Sequence, residues 1–257
     1  KASSLFQITS KMFGIQYRPV TQTLWHPSVE AYELVDQGKV IGRLYLDMFP
    51  RADKYKHAAA FPLVTGVFGR QIPEAALVCN FSAEGPVDHD QVETFFHEFG
   101  HLLHHLLGGE HRWVGVSGFN TELDFVEAPS QMLEEWAWDP TTLKMFATND
   151  KGEGMPDSLI QAMRRARDFG KGLWTSHQMF YAAVSLSYYD HDPSGMDTTA
   201  VMKNLQAKYS SFEYVDDTFF QLSFGHLDGY SAMYYSYMWS LVIAKDLFSV
   251  FEKNGLL

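Results

Sequence analysis

Five consecutive residues, His97-Glu98-Phe99-Gly100-His101, carry the types and spacing needed to activate a water molecule on a metal ion. Four positions apart on a helix, the two imidazoles lie one turn apart on the same face and can converge on one ion. Glu98 is offset by one position, so its carboxylate can stand beside the ion and take a proton from a bound water. The chemistry implied is metal-assisted hydrolysis. The plain alternative is a pair of satisfied core histidines, and a third ligand is what separates the two. With Cys79 as the single cysteine, a thiolate-rich site is excluded and the donors must be histidines and carboxylates.

The element that carries these residues reads as a helix over residues 93–107. Phe95, Phe99, Leu102 and Leu106 form one apolar stripe, and Phe96, Leu103 and Leu107 a second. A helix apolar on most of its circumference is normally buried. Asp88 begins it with negative charge at the positive end of the dipole, and Gly108-Gly109 ends it. Glu93, one turn before His97, is open between accepting that ring's second N–H and facing water. His104 and His105 extend the polar stripe but are not needed by a tetrahedral site.

A third ligand is sought on a second helix, expected over residues 121–136 with Asn120 or Thr121 as its cap and a bend at Pro129. Asp124, Glu127, Gln131 and Glu134 share one face there, opposite Leu123, Val126, Leu133 and Trp136. The row can be a solvated surface or a source of ligands, and spacing alone does not choose between Asp124 and Glu127. Ahead of the central helix, residues 17–81 have mostly strand periodicity. Gly38 marks a hairpin between Ala31–Asp36 and Lys39–Phe49, and residues 57–65 and 75–81 are further strands. His57 closes the polar connection 53–57 and is a candidate substrate contact.

From Asp139 onward the pattern is mainly helical, and Arg164-Arg165-Ala166-Arg167 reads as a solvated basic face. Near the end, Phe224-Gly225-His226-Leu227-Asp228-Gly229 turns into an expected helix on which Tyr230, Tyr234 and Tyr237 share a face. A phenol there can donate a hydrogen bond to an oxyanion, although aromatic stripes at helical spacing are commonly core. The formal net charge of −11 argues against nucleic acid and anionic membranes as partners, and no apolar run is long enough to span a bilayer. A lone cysteine is compatible with a reducing compartment, and the expected location is cytoplasmic.

Four stretches in order resemble one family: GRLYLDMFPRADKYKHA, HEFGH, TELDFVEAPSQMLEEW and FGHLDGYSAMYYSY. They are similar to the thimet oligopeptidase family of zinc peptidases, and the resemblance covers most of the chain. It implies one zinc ion per chain held by His97, His101 and Glu127, with Glu98 as general base. It implies that Tyr230 and Tyr237 stabilise the transition state, and that His226 and Tyr234 contact substrate. The partners implied are short peptides. The Asp228-Gly229 turn is shorter than is usual in the family and closer to the intermediate-peptidase type, which makes a processing peptidase the alternative.

The fold expected is mainly α with a small mixed β-sheet (α+β), a zincin-like core around the HExxH helix. Residues 1–257 would form one catalytic domain with a β-rich part (17–82) and a helical part (88–257). Members of the family are more than twice this length, so the chain is expected to be cut at both ends. The missing N-terminal helical segment is then a further partner, and a fragment that binds zinc without cleaving peptides is the other rival.

Overall fold

The computed structural model describes residues 2–82, 85, 87–149 and 151–257. Helix α1 (Ala2–Phe13) leads into strands β1 (Gln16–Val20), β2 (Glu30–Asp36), β3 (Lys39–Asp47), β4 (Ala59–Val64) and β5 (Glu74–Val78). They form one mixed sheet in the order β1-β2-β3-β5-β4. β3 and β5 are parallel, and the other neighbours are antiparallel. The β2–β3 hairpin turns through Gln37 and Gly38, both at positive φ (45° and 83°). Such a two-residue turn matches the twist of the strands it joins.

Alternation along β3 sends Leu44 and Leu46 to one face of the sheet and Tyr45 to the other. On the first face lies α2 (His89–Leu107), whose Phe95, Phe99, Leu102 and Leu106 join Leu44, Leu46 and Leu77 in the main core. Asp88 is the residue before the first turn of α2, as its sequence suggested, although its side chain makes no capping hydrogen bond. Behind α2 come α3 (Ala128–Glu134), the buried Trp136 and α8 (Ser236–Asn254). The helices α4 (Pro140–Phe146), α5 (Asp157–Arg167), α6 (Lys171–Ser187) and α7 (Thr198–Tyr209) fill the interval. A second cluster unites Phe180 and Val184 of α6 and Met202 of α7 with Phe224 and Tyr234. The chain is therefore α+β, and none of its described helices is long and apolar enough to cross a membrane.

Three local expectations are corrected. Residues 121–127 form turns instead of helix, and α3 starts at Ala128 with Pro129 in its first turn. A proline is tolerated there because the first-turn N–H groups lack intrahelical partners anyway, whereas inside a helix its ring strikes the carbonyl four residues back. Similarly, residues 228–235 are turns, and α8 begins only at Ser236. In the connection read as polar, Lys54 is buried and donates to the carbonyls of Asp47, Phe49 and Cys79 at 2.9, 2.7 and 2.5 Å.

Candidate active site

Burial of the apolar stripe of α2 against the sheet turns His97, Glu98 and His101 toward α3 and the edge strand β4. Glu127, immediately before α3, places Oε2 at 3.1 Å from His97 Nε2 and 3.0 Å from His101 Nε2. The donor atoms of His97, His101 and Glu127 all lie within 4.8 Å of one another. Asp124 is not part of this group: its carboxylate accepts from Tyr235, and its carbonyl accepts from Ser240 of α8 at 2.6 Å.

Close approach of α2 and α3 makes the cluster possible. A Cβ on Gly100 would come within 2.5 Å of Ser130 Cα and 2.9 Å of the Pro129 carbonyl oxygen, so a side chain there would push the helices apart. Ser130 steadies Glu127 from beneath, donating to its carbonyl at 2.9 Å and its Oε2 at 3.2 Å. On the other side, Tyr230 donates to Glu127 Oε1 at 2.5 Å. Burial penalises charge on Glu127, yet the two imidazoles hold its carboxyl well below the usual carboxylate range.

The second nitrogen of His97 is 2.6 Å from Glu134 Oε1, not paired with Glu93. Glu93 instead accepts from Trp138 Nε1 at 2.6 Å, beside Arg167. Arg167 in turn makes a two-pronged ion pair with Glu135 (2.8 and 2.7 Å), so this part of the basic stretch is not a solvated face. Burial opposes charge on His97, but Glu127 and Glu134 outweigh it and push its pKa up to about 10. Burial pushes the carboxyl of Glu134 upward, against the pull of His97. Glu134 is placed to accept an N–H from His97 Nδ1, the tautomer that leaves Nε2 for the cluster.

Glu98 accepts the Ala60 N–H through Oε2 at 2.9 Å, which ties it to β4. His105, buried at 1% exposure, makes a second tie at 2.9 Å to the Val64 carbonyl. Aromatic residues on either side of the start of α8 approach the cluster beside Glu127. Tyr230 and Tyr237 stack with ring centroids 5.6 Å apart, and the Tyr237 hydroxyl is 3.1 Å from His226 Nε2. Burial, reinforced by the negative charge of Glu127, keeps the Tyr230 and Tyr237 hydroxyls protonated far above the ordinary phenol range. Burial lowers the pKa of His226, against Glu127 and with a further push from His57. His57 is exposed, packs beside Tyr55 and lies near enough to His226 to disfavour charge on it. Tyr234 lies deeper: it is 8% exposed, and its hydroxyl donates to Gln178 of α6 at 3.1 Å.

Two imidazole nitrogens and a carboxylate oxygen are the donor chemistry of a zinc site with an open position. Bond lengths of about 2.0–2.2 Å put tetrahedral donors roughly 3.3 Å apart, close to the two nitrogen–oxygen separations of 3.1 and 3.0 Å found here. The residues present thus fit such an ion. A comparison with known families decides the relationship: the model of Peptidase family M3 matches residues 1–257. The chain belongs to peptidase family M3. The M3 chain is 34% identical to the thimet-like oligopeptidase of Dictyostelium discoideum, over 98% of its own residues and 40% of that protein. It is 33% identical to oligopeptidase A of Escherichia coli, over 99% and 40% respectively. For the mitochondrial intermediate peptidase of Arabidopsis thaliana the identity is 34%, over 97% and 37%. This M3 chain therefore spans about 40% of the length of the curated relatives it matches.

Glu134, His105 and Ala60 went unassigned in the sequence. For Glu134 a signal existed: it lies seven residues after Glu127, two helical turns along the same row. A backbone N–H such as that of Ala60 carries no sequence signal.

Proposed function

We propose that the chain is the catalytic part of a zinc-dependent oligopeptidase with a zincin-like core, acting on short peptides. The observation that carries this is the convergence of His97 Nε2, His101 Nε2 and Glu127 Oε2 beside Glu98, itself held at an open sheet edge. His97, His101 and Glu127 would hold the ion, and zinc when bound supplies polarisation of a carbonyl and acidification of water. Glu98 takes the proton of the attacking water and passes it to the leaving amine. Tyr230 and Tyr237, protonated throughout, donate hydrogen bonds to the oxygen on which negative charge develops. His226 sits beside Tyr237 and orients it, and the exposed His57 is a substrate contact. Tyr234 packs against His226 with ring centroids 5.0 Å apart and acts through it. The extended peptide lies along β4, adding a strand to the sheet. The single cysteine supports a cytoplasmic setting.

The test is the Glu98→Gln variant, assayed for zinc content and for hydrolysis of a quenched fluorescent peptide. It is expected to keep its zinc and lose roughly three orders of magnitude in kcat. Near-normal turnover would remove Glu98 from the mechanism. An inert wild type with full zinc would mean that the chain binds metal without cleaving peptides.

A further inference from the structure

β4 is the last strand of the sheet, and the side not paired with β5 faces Glu98. In an antiparallel pair, alternate residues turn both N–H and C=O away from the partner strand. Ala60 gives its N–H to Glu98, so Ala60 belongs to the outward set, and so does Pro62 two residues on. The register agrees. Ala59, Ala60, Phe61 and Pro62 stand opposite Val78, Leu77, Ala76 and Ala75 without a slip, and the irregularity comes only after Pro62. Facing outward, the proline removes no hydrogen bond from the sheet. What it removes is a donor from the open edge. Ala60 and Pro62 both present a carbonyl there, but only Ala60 has an N–H, and Glu98 holds it.

We propose that Pro62 makes this edge a one-sided receptor and is a specificity-determining residue. A peptide laid along β4 donates N–H groups to the carbonyls of Ala60 and Pro62 and receives one N–H at most, from Ala60. The proposal rests on the peptidase reading above and deepens it. The substrate residues opposite Ala60 and Pro62 must each carry an N–H, so proline or an N-methylated residue is rejected there. The residue between them turns its N–H away from β4 and is unrestricted. The carbonyl opposite Pro62 finds no donor on the strand and stays hydrated. Transfer of the Ala60 N–H from Glu98 to the peptide also releases one carboxylate oxygen of the base as substrate arrives, so filling the edge and readying Glu98 are one event.

An edge proline also discourages pairing with other sheets, which would account for Pro62 without any role toward substrate. Binding separates the two accounts. Fluorescence anisotropy of a fluorescein-labelled octapeptide of non-repeating sequence is measured on wild type and Pro62→Ala, in chelator so that no turnover intrudes. A scan of the same peptide, N-methylated at one residue at a time, is run on wild type. Pro62→Ala is expected to bind about 2–10-fold more tightly, the effect of one added hydrogen bond. In the scan, N-methylation at two positions separated by one residue weakens binding by a similar factor, and the residue between tolerates it. Equal or weaker binding by a folded Pro62→Ala, a scan without that alternation, or no peptide binding at all would overturn the proposal. Should Pro62→Ala fail to fold, the wild-type scan decides alone. Zinc is then added and cleavage sought. Alternating sensitivity without cleavage would reject the peptidase reading and leave the edge intact, and cleavage without alternation would do the reverse.

Discussion

Glu134 has the clearest separable role of any side chain near the site. It touches no donor atom of the cluster, yet its carboxylate is placed to accept an N–H from His97 Nδ1 and so to favour the tautomer with Nε2 free. Glu134→Gln keeps the shape and weakens the acceptor, so zinc affinity is expected to fall about 10–100-fold, as read by competition with a chromogenic chelator. The melting temperature should move little, because the pair is only partly buried. An unchanged affinity would make Glu134 a bystander. At this scale the sequence was most informative where chemistry and helical period coincide, as in His97-Glu98-Phe99-Gly100-His101. It left Glu93 open, because position along one helix does not reveal which neighbouring helix fills the space beside it.

Among the elements, the α2–α3 contact sets the separation of the candidate ligands. Gly100→Ala places a methyl group against backbone atoms of α3, which cannot rotate away. The expected cost is roughly 1–3 kcal/mol of stability, with weaker zinc binding because Glu127 moves with α3. Thermal melts with and without zinc check both parts. A normal melt would show that the helices have slack. The hairpin and α2 were legible because alternation, turn residues and apolar stripes are local signals. The start of α3 was not: Pro129 fits either a kink or a first turn, and tertiary packing chooses between them. Likewise Tyr230, Tyr234 and Tyr237 have helical spacing, but Gly229 and Ser231 adopt positive φ (89° and 44°) and hold the first two in turns. Their rings meet through a folded loop rather than a helical stripe.

For the whole molecule, resistance to acid should depend on Asp47, buried at 2% exposure at the end of β3. Arg51 pairs with it at 2.6 Å, Trp25 donates to it at 2.9 Å, and Lys54 lies at 2.9 Å while gripping the carbonyl of Cys79. Burial alone would raise its pKa, but these donors outweigh burial and hold the carboxyl well below the usual range. A depressed folded value means that the stabilisation is complete above the unfolded carboxyl pKa of about 4 and fades as pH falls from there toward the folded value. Asp47→Asn is expected to lose roughly 3–5 kcal/mol at neutral pH by leaving Lys54 buried without its counter-charge. Its stability should also vary less below about pH 4, measurable by urea unfolding across pH. A wild-type acid slope retained in the variant would place the sensitive group elsewhere.

The hydrogen bond from Tyr230 to Glu127 joins residues 103 positions apart. A ribosome making this chain therefore finishes the candidate ligand set well before the tyrosines exist, by roughly 5–20 s at ordinary elongation rates of about 5–20 residues per second. In that interval a nascent chain can take up metal but lacks the hydroxyls that would steady an oxyanion. On the proposed roles, sequence order acts as a safety catch: the machinery that cuts peptides is armed only once the tyrosines have followed the ligands.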